Sequence, residues 1–324
     1  AAPVEVPPEP TATAEPTGVP TDIPTPRPTM VPKCTTWAPE TIDPETVGWW
    51  NETVFYELFV RSFYDSDGDG IGDFNGIIEK LDYLNDGDPS TNQDLGITGI
   101  WLMPINASPS YHGYDVTDYF AVNPEYGTRE DFQNMLDAAH ERGITVIIDM
   151  VLNHTSTKHP WFEAAITDPD SEYRDYCLWA DPPPSFKSPW GSDVWHYSDT
   201  GFYYGIFWAG MPDLNYENPA VTAEMQAVIR FWLEDVGVDG FRLDAIKHLI
   251  EDGEIQENTP ATHTWWEGFY DHYTSINPKA FTVGEAWTST GEVVKYIGDE
   301  MNIAFEFDTS GAMLNSARSE TNRY

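Results

Sequence analysis

Val238-Asp239-Gly240-Phe241-Arg242-Leu243-Asp244 is a short apolar stretch that ends in an acid, and Phe281-Thr282-Val283-Gly284-Glu285 repeats the pattern further on. Both read as strands. Side chains two apart on a strand share a face, so Arg242 and Asp244 project together. A guanidinium beside a carboxylate favours the charged form that a nucleophile requires. Glu285 ends a separate strand among aromatic and apolar neighbours, a setting in which a carboxyl keeps its proton and serves as general acid. Two carboxyls with proton affinities pushed apart are what cleavage of a glycosidic bond needs.

Outward from these stretches the chain alternates strand and helix. Val54–Val60 predicts a strand, and Asn75–Leu84 a helix with Ile77, Ile78, Leu81 and Leu84 on one side. A strand over Ile97–Ile105 and a helix over Arg129–Arg142 follow. Ile144–Met150 is a nearly continuous apolar run, the mark of a strand covered on both faces. Later come helix Ala220–Asp235, strand Val238–Asp244, helix Thr262–Ile276, strand Phe281–Glu285, a helix near Gly291–Ile297 and strand Asn302–Phe307. Repeated strand–helix units imply a parallel sheet with helices outside. Acids at the carboxyl ends of several strands point to an α/β fold of the TIM (β/α)8-barrel type. Six strands are countable where closure needs eight, so an incomplete barrel with exposed first and sixth edges is expected.

Residues 153–218 break the rhythm. They are rich in Pro, Trp, Tyr and Asp, contain Pro182-Pro183-Pro184, and read as an irregular inserted subdomain. Residues 1–47 are dense in Pro and Thr, a composition that favours extended, solvated chain and suits a linker of an exported protein. The expected organisation is linker 1–47, barrel strands one to three over 48–152, insertion 153–218, and barrel strands four to six over 219–324.

Fifty-four acids against 16 bases give a net charge of −38. That surface repels phosphate backbones, so nucleic acid is excluded as a partner and a neutral polysaccharide is not. Cys34 and Cys177 are the only cysteines, too few for a disulfide framework, although one bridge from linker to domain is conceivable. No stretch is long and apolar enough to span a membrane.

The segments around Asp244 and Glu285 resemble conserved regions of the α-amylase family of glycoside hydrolases. Asp149-Met150-Val151-Leu152-Asn153-His154 is similar to that family's first region, and Tyr111-His112-Gly113-Tyr114-Asp115 to the loop after its second barrel strand. Met211-Pro212-Asp213-Leu214-Asn215 resembles its extra region in the form intermediate between oligo-1,6-glucosidases and neopullulanases. The resemblance runs from about Trp49 onward and implies a TIM barrel with a domain B inserted after strand three. It implies Asp244 as nucleophile and Glu285 as acid/base of a retaining reaction, with Arg242 orienting Asp244 and Asp149 bracing Arg242. His112 and His154 would bond hydroxyls of the sugar on the non-reducing side, and Tyr114 would stack on it. Lys247 and His248 would reach the sugar on the leaving side. The family's fourth region, a His and an Asp at strand seven, is absent from these residues. The resemblance therefore implies an N-terminal part of a longer enzyme, and negligible activity for residues 1–324 alone.

Asp65-Ser66-Asp67-Gly68-Asp69-Gly70-Ile71-Gly72-Asp73 places carboxylates at positions 1, 3, 5 and 9 with Gly at 6, and the Ile71 carbonyl at 7. That is calcium-loop spacing, although Gly76 at position 12 excludes an EF-hand. An acidic turn without an ion is the alternative; four acids so close repel one another. The resemblance implies a structural calcium there. It also implies a second calcium between barrel and insertion, held by Asn153, Asp213 and the carbonyl of His248. Asp213 could equally serve as a helix cap or bond Asn215.

The implied substrate is an α-1,4-glucan: starch, glycogen or maltodextrin. A cyclomaltodextrinase, neopullulanase or glucanotransferase of the same family competes with that reading, as does a non-catalytic sugar-binding relative. The retained Arg242, Asp244 and Glu285 oppose the last. Oligomeric state is not legible.

Overall fold

A computed structural model describes residues 48–319. Among them, six parallel strands form the central sheet: β1 (Phe55–Leu58), β2 (Gly99–Leu102), β3 (Thr145–Met150), β4 (Gly240–Leu243), β5 (Phe281–Gly284) and β6 (Ile303–Ala304). They stand in chain order, each hydrogen-bonded to its sequence neighbours, so β1 and β6 are the edges. This is the expected incomplete barrel.

Helices α1 (Phe74–Leu84), α2 (Arg129–Glu141), α3 (Pro219–Arg230) and α4 (Pro260–Ile276) fill the crossovers. Their starts are fixed locally. Asp73 caps α1 by accepting the Gly76 N–H at 2.6 Å, and Thr128 and Asp131 cap α2 reciprocally. Asn218 and Thr259 precede prolines at the first position of α3 and α4. The α3 helix widens into a π-turn over Phe231–Val236 and stops at left-handed Gly237.

Apolar residues of α1 and α2 (Ile77, Leu81, Phe132 and Met135 among them) bury one face of the sheet through Ile100, Val146 and Ile148. On the opposite face, Ile147, Phe281 and Val283 pack with Trp49, Trp50, Phe55, Trp101 and Phe305. The Phe281 ring stacks on Trp50 and Phe55, and such a buried side chain contributes about 1.5–3 kcal/mol. Both faces of β3 are thus covered, as its unbroken apolar run requires. Close packing also explains Gly240. It sits at φ 156°, and a Cβ there would meet the Phe281 carbonyl oxygen at 1.9 Å.

Several expected elements differ. β1 and β2 are shorter than Val54–Val60 and Ile97–Ile105; Val60–Phe63 turns into a helix, and Pro104 has no N–H to extend a ladder. Asn106–Ala107 and Asp118–Val122 form an unforeseen antiparallel pair. The last strand contracts to Ile303–Ala304, and Phe307 instead begins a helix, α5 (Phe307–Ser319). The helix near Gly291–Ile297 is Thr290–Val293 followed by a 3-10 turn.

Residues 153–218 are more regular than their composition suggests. They contain a helix over Pro160–Thr167 and a three-stranded antiparallel sheet with Gly201–Tyr204 between Trp179–Ala180 and Trp195–Ser198. Antiparallel bridges His154–Asp213 and Cys177–Leu214 bring the two ends of the insertion together. Cys177 is buried with a free thiol, which burial holds above its ordinary pKa. Its suggested partner Cys34 lies outside the described residues.

Candidate active site

The register of the sheet builds the site. Leu243 of β4 pairs with Gly284 of β5, so Asp244 and Glu285 emerge together at the carboxyl ends. Asp149 of β3 pairs with Arg242 of β4, which sets a carboxylate beside the guanidinium. After Asp244 the backbone turns sharply through Ala245 in a left-handed conformation, φ 50°, a strained geometry for a residue with a side chain.

Arg242, with only 6% of its side chain exposed, gathers three acids. Nη1 donates to Asp149 at 2.9 and 3.2 Å and to Asp244 Oδ1 at 2.6 Å. Nη2 donates to Glu285 Oε2 at 2.7 Å. Burial works against the charge of Arg242, yet Asp149 and Asp244 hold its pKa above the ordinary value. Burial pushes the Asp149 carboxyl up against the pull of the same guanidinium. Trp101 Nε1 and Tyr114 Oη also donate to Asp149, at 3.3 and 3.1 Å.

Glu285 is raised chiefly by burial; Arg242 lowers it, while the charge of Asp244 and a hydrogen bond shared with Asp244 raise it again. The result is a carboxyl inclined to keep its proton beside a second carboxyl tied to an arginine. That pair can donate a proton and attack a carbon from one pocket.

The pocket is a 490 Å³ cavity lined by His112, Tyr114, His154, Phe207, Trp208, Met211, Arg242, Asp244 and Glu285. Burial lowers His154 to about 4, so it stays neutral. Its Nδ1 faces Asn153 Oδ1 at 3.0 Å, and its Nε2 is without a protein partner. A second cavity of 260 Å³, lined by Trp190, Phe207, Ala245, Lys247, His248, Glu285 and Trp287, meets the first at Phe207 and Glu285. All the residues expected at the sugar site except Asp149 thus line these two cavities, and Asp149 stands behind Arg242. Sequence reasoning missed Trp190, Phe207 and Trp208, which the insertion contributes. Their only signal was aromatic excess in 153–218.

The acidic loop is compact. Oxygens of Asp65, Asp67 and Asp73 lie within 4.8 Å of one another, a hard-oxygen set that fits calcium. N–H groups of Gly70 and Gly68 hold the Asp65 carboxyl below its ordinary pKa. Asp69, the fourth acid of the expected set, lies outside that trio, and its carboxylate accepts the Ile71 N–H at 2.8 Å. At the second expected site, Asn153 Nδ2 donates to the His248 carbonyl at 2.6 Å. Buried Asp213 accepts from Ile206 N–H at 3.1 Å and keeps Oδ2 unpartnered. These groups do meet, and the orphaned Asp213 oxygen fits a cation, but the Asn153 amide nitrogen faces the carbonyl. Asp213 caps no helix; Asn218 does that.

Residues 57–324 match the family described as alpha amylase, catalytic domain. The chain is 45% identical over 273 residues to Alpha-amylase 3 of Dictyoglomus thermophilum, covering 84% of this chain and 50% of that protein. It is 40% identical to trehalose synthase/amylase TreS of Mycobacterium tuberculosis, covering 86% of this chain and 47% of the relative. The crystal structure of an alpha-amylase from H. orenii superposes with a TM-score of 0.75 at 52% identity, over 82% of this chain and 54% of that one. The chain therefore spans about half the length of the relatives it matches.

Proposed function

Because the chain belongs to the alpha-amylase family of glycoside hydrolases, we propose that its protein cleaves α-1,4-glucosidic bonds of starch, glycogen or maltodextrins with retention of configuration. The observation that carries this reading is Arg242 holding Asp244 and Glu285 at one pocket. Asp244 attacks the anomeric carbon while Glu285 gives its proton to the departing oxygen. Glu285 then takes a proton from water, and that water releases the sugar from Asp244. Retaining glycosidases hold their two carboxyls about 5–5.5 Å apart. Arg242 anchors both, and neutral His154 offers Nε2 to a sugar hydroxyl.

Calcium belongs to this proposal as a structural ion at Asp65, Asp67 and Asp73, supported by their clustered oxygens. Asn153, Asp213 and the His248 carbonyl form the second proposed site, supported by the orphaned Asp213 oxygen. An extracellular location is supported by the Pro- and Thr-rich composition of residues 1–47. No helix among the described residues is long and apolar enough to cross a membrane.

The test is product analysis by NMR on maltoheptaose, using the intact protein. Shorter maltooligosaccharides released as α-anomers, and lost in Asp244→Asn, are the expected result. β-Anomers, or cleavage that survives Asp244→Asn, would sink it. Similarity to a trehalose synthase and the Met211–Asn215 segment favour a second reading, transfer between sugars. Products longer than the substrate, or trehalose from maltose, would select it.

A further inference from the structure

Lys247 was expected to reach a sugar on the leaving side, but its ammonium is already engaged. Nζ donates to Glu257 Oε2 at 2.5 Å and to the Trp287 carbonyl at 2.9 Å. An ammonium has three protons, so one is left for a ligand. The backbone beside Glu257 is anchored on both sides: the Gln256 carbonyl accepts from His248 Nδ1 at 2.7 Å, and the Asn258 N–H donates to the Lys247 carbonyl at 2.8 Å.

The bridge joins two loops that rise from different strands. One follows β4 and carries Lys247 and Glu257; the other follows β5 and carries Trp287. Trp287 is 72% exposed; its ring stacks on Phe307 at 5.2 Å, and the residue lines the 260 Å³ cavity that Trp190 walls from the insertion. Two indoles and an ammonium around Glu285 suit a pyranose ring, whose C–H faces are apolar and whose rim bears hydroxyls.

We propose that Glu257 is a positioning residue for the leaving-side sugar: by neutralising and aiming Lys247, it fixes Trp287 against that sugar. The proposal rests on the glycosidase reading above. Glu257 touches neither the cleaved bond nor the non-reducing side. Its removal therefore weakens binding of a sugar leaving group and spares the chemistry at Asp244.

The experiment compares Glu257→Gln with the wild type in the intact protein, on maltotriose and on 4-nitrophenyl α-maltoside, whose aryl leaving group needs no sugar contacts. Amide hydrogen exchange across residues 286–289 is measured in parallel. For Glu257→Gln, KM for maltotriose is expected to rise about tenfold, the effect of losing one charge-assisted hydrogen bond. Its kcat, and both constants for the aryl glycoside, stay within about twofold, and exchange across 286–289 accelerates. Equal losses on both substrates, or unchanged exchange, overturn the proposal. A wild type that cleaves neither substrate sinks the glycosidase reading. Exchange then judges Glu257 alone: acceleration upholds the tether and no change overturns it.

Discussion

Asp244 and Glu285 leave the sheet at the same height, because Leu243 and Gly284 are partners in the parallel register of β4 and β5. A one-residue slip would turn one of the two acids to the other face. The tight contact that only Gly240 permits beside Phe281 holds the two strands in that register.

Glu285 is expected to start the reaction only while protonated, since its first task is to give a proton to the departing oxygen. Burial raises its pKa, so kcat/KM falls as pH rises through that value, above the ordinary 4.5. Glu285→Gln should lose about 10²–10⁴-fold in kcat on maltooligosaccharides. The loss is smaller on an activated aryl glycoside, and the alkaline limb disappears. A Glu285→Gln variant that keeps the limb would assign it to another group.

Arg242→Met should be strongly destabilising, because it strands buried Asp149 without its cation. Removing one partner of a buried pair costs about 3–5 kcal/mol. Urea unfolding is the measurement, and the deficit should shrink at low pH, where the stranded carboxyls take up protons. A loss under about 1 kcal/mol would show that the arginine is not what holds the acids together.

Calcium should raise the thermal midpoint. A ligand at a hundred times its Kd stabilises by about 2.7 kcal/mol. Paired Asp65→Asn and Asp67→Asn substitutions should remove the loop's share of the response, whereas Asp213→Asn should leave that share intact. Scanning calorimetry with and without EDTA distinguishes the two. A midpoint indifferent to calcium removes the ion from the proposal.

Acid should weaken the fold before carboxylates do. Burial lowers His154, His159 and His248 to about 4, from an ordinary 6.5. Between those values the unfolded chain binds protons that the fold refuses, so stability is full above pH 6.5 and is lost as pH falls toward 4. Each histidine contributes at most about 1.4 kcal/mol per pH unit. His159 is the cleanest probe: its ring packs at a tilt against Trp161, centroids 4.3 Å apart, and it caps the helix starting at Pro160. His159→Asn should flatten the slope of midpoint against pH between 4 and 6.5; an unchanged slope would clear His159.

The sequence carried the barrel where the signal was long and periodic. The Ile144–Met150 run and the α1 and α2 patterns are strong because each buries a continuous face. Ile303–Ala304, two residues long, has no period to detect. The pair Asn106–Ala107 and Asp118–Val122 depends on a contact across the intervening loop that carries His112 and Tyr114. At the site, Arg242 and Asp244 were legible from the strand repeat of two. The contact of Arg242 with Asp149 was available only from family resemblance, since register between distant strands is not written locally. Trp190 and Phe207 were invisible among the many aromatics around them. Spacing alone does not say which of the four loop acids face one another: Asp65, Asp67 and Asp73 do, while Asp69 accepts the Ile71 N–H.

The acids that meet on Arg242 come from β3 and the carboxyl ends of β4 and β5, far apart along the chain. During synthesis, the arginine and its first partner therefore emerge well before the glutamate. Until the fifth strand docks, Nη2 lacks its carboxylate, and Glu285 does not stand beside Asp244. The three-acid cluster on Arg242 should thus be completed late in synthesis, only once the long-range contact between β4 and β5 has formed.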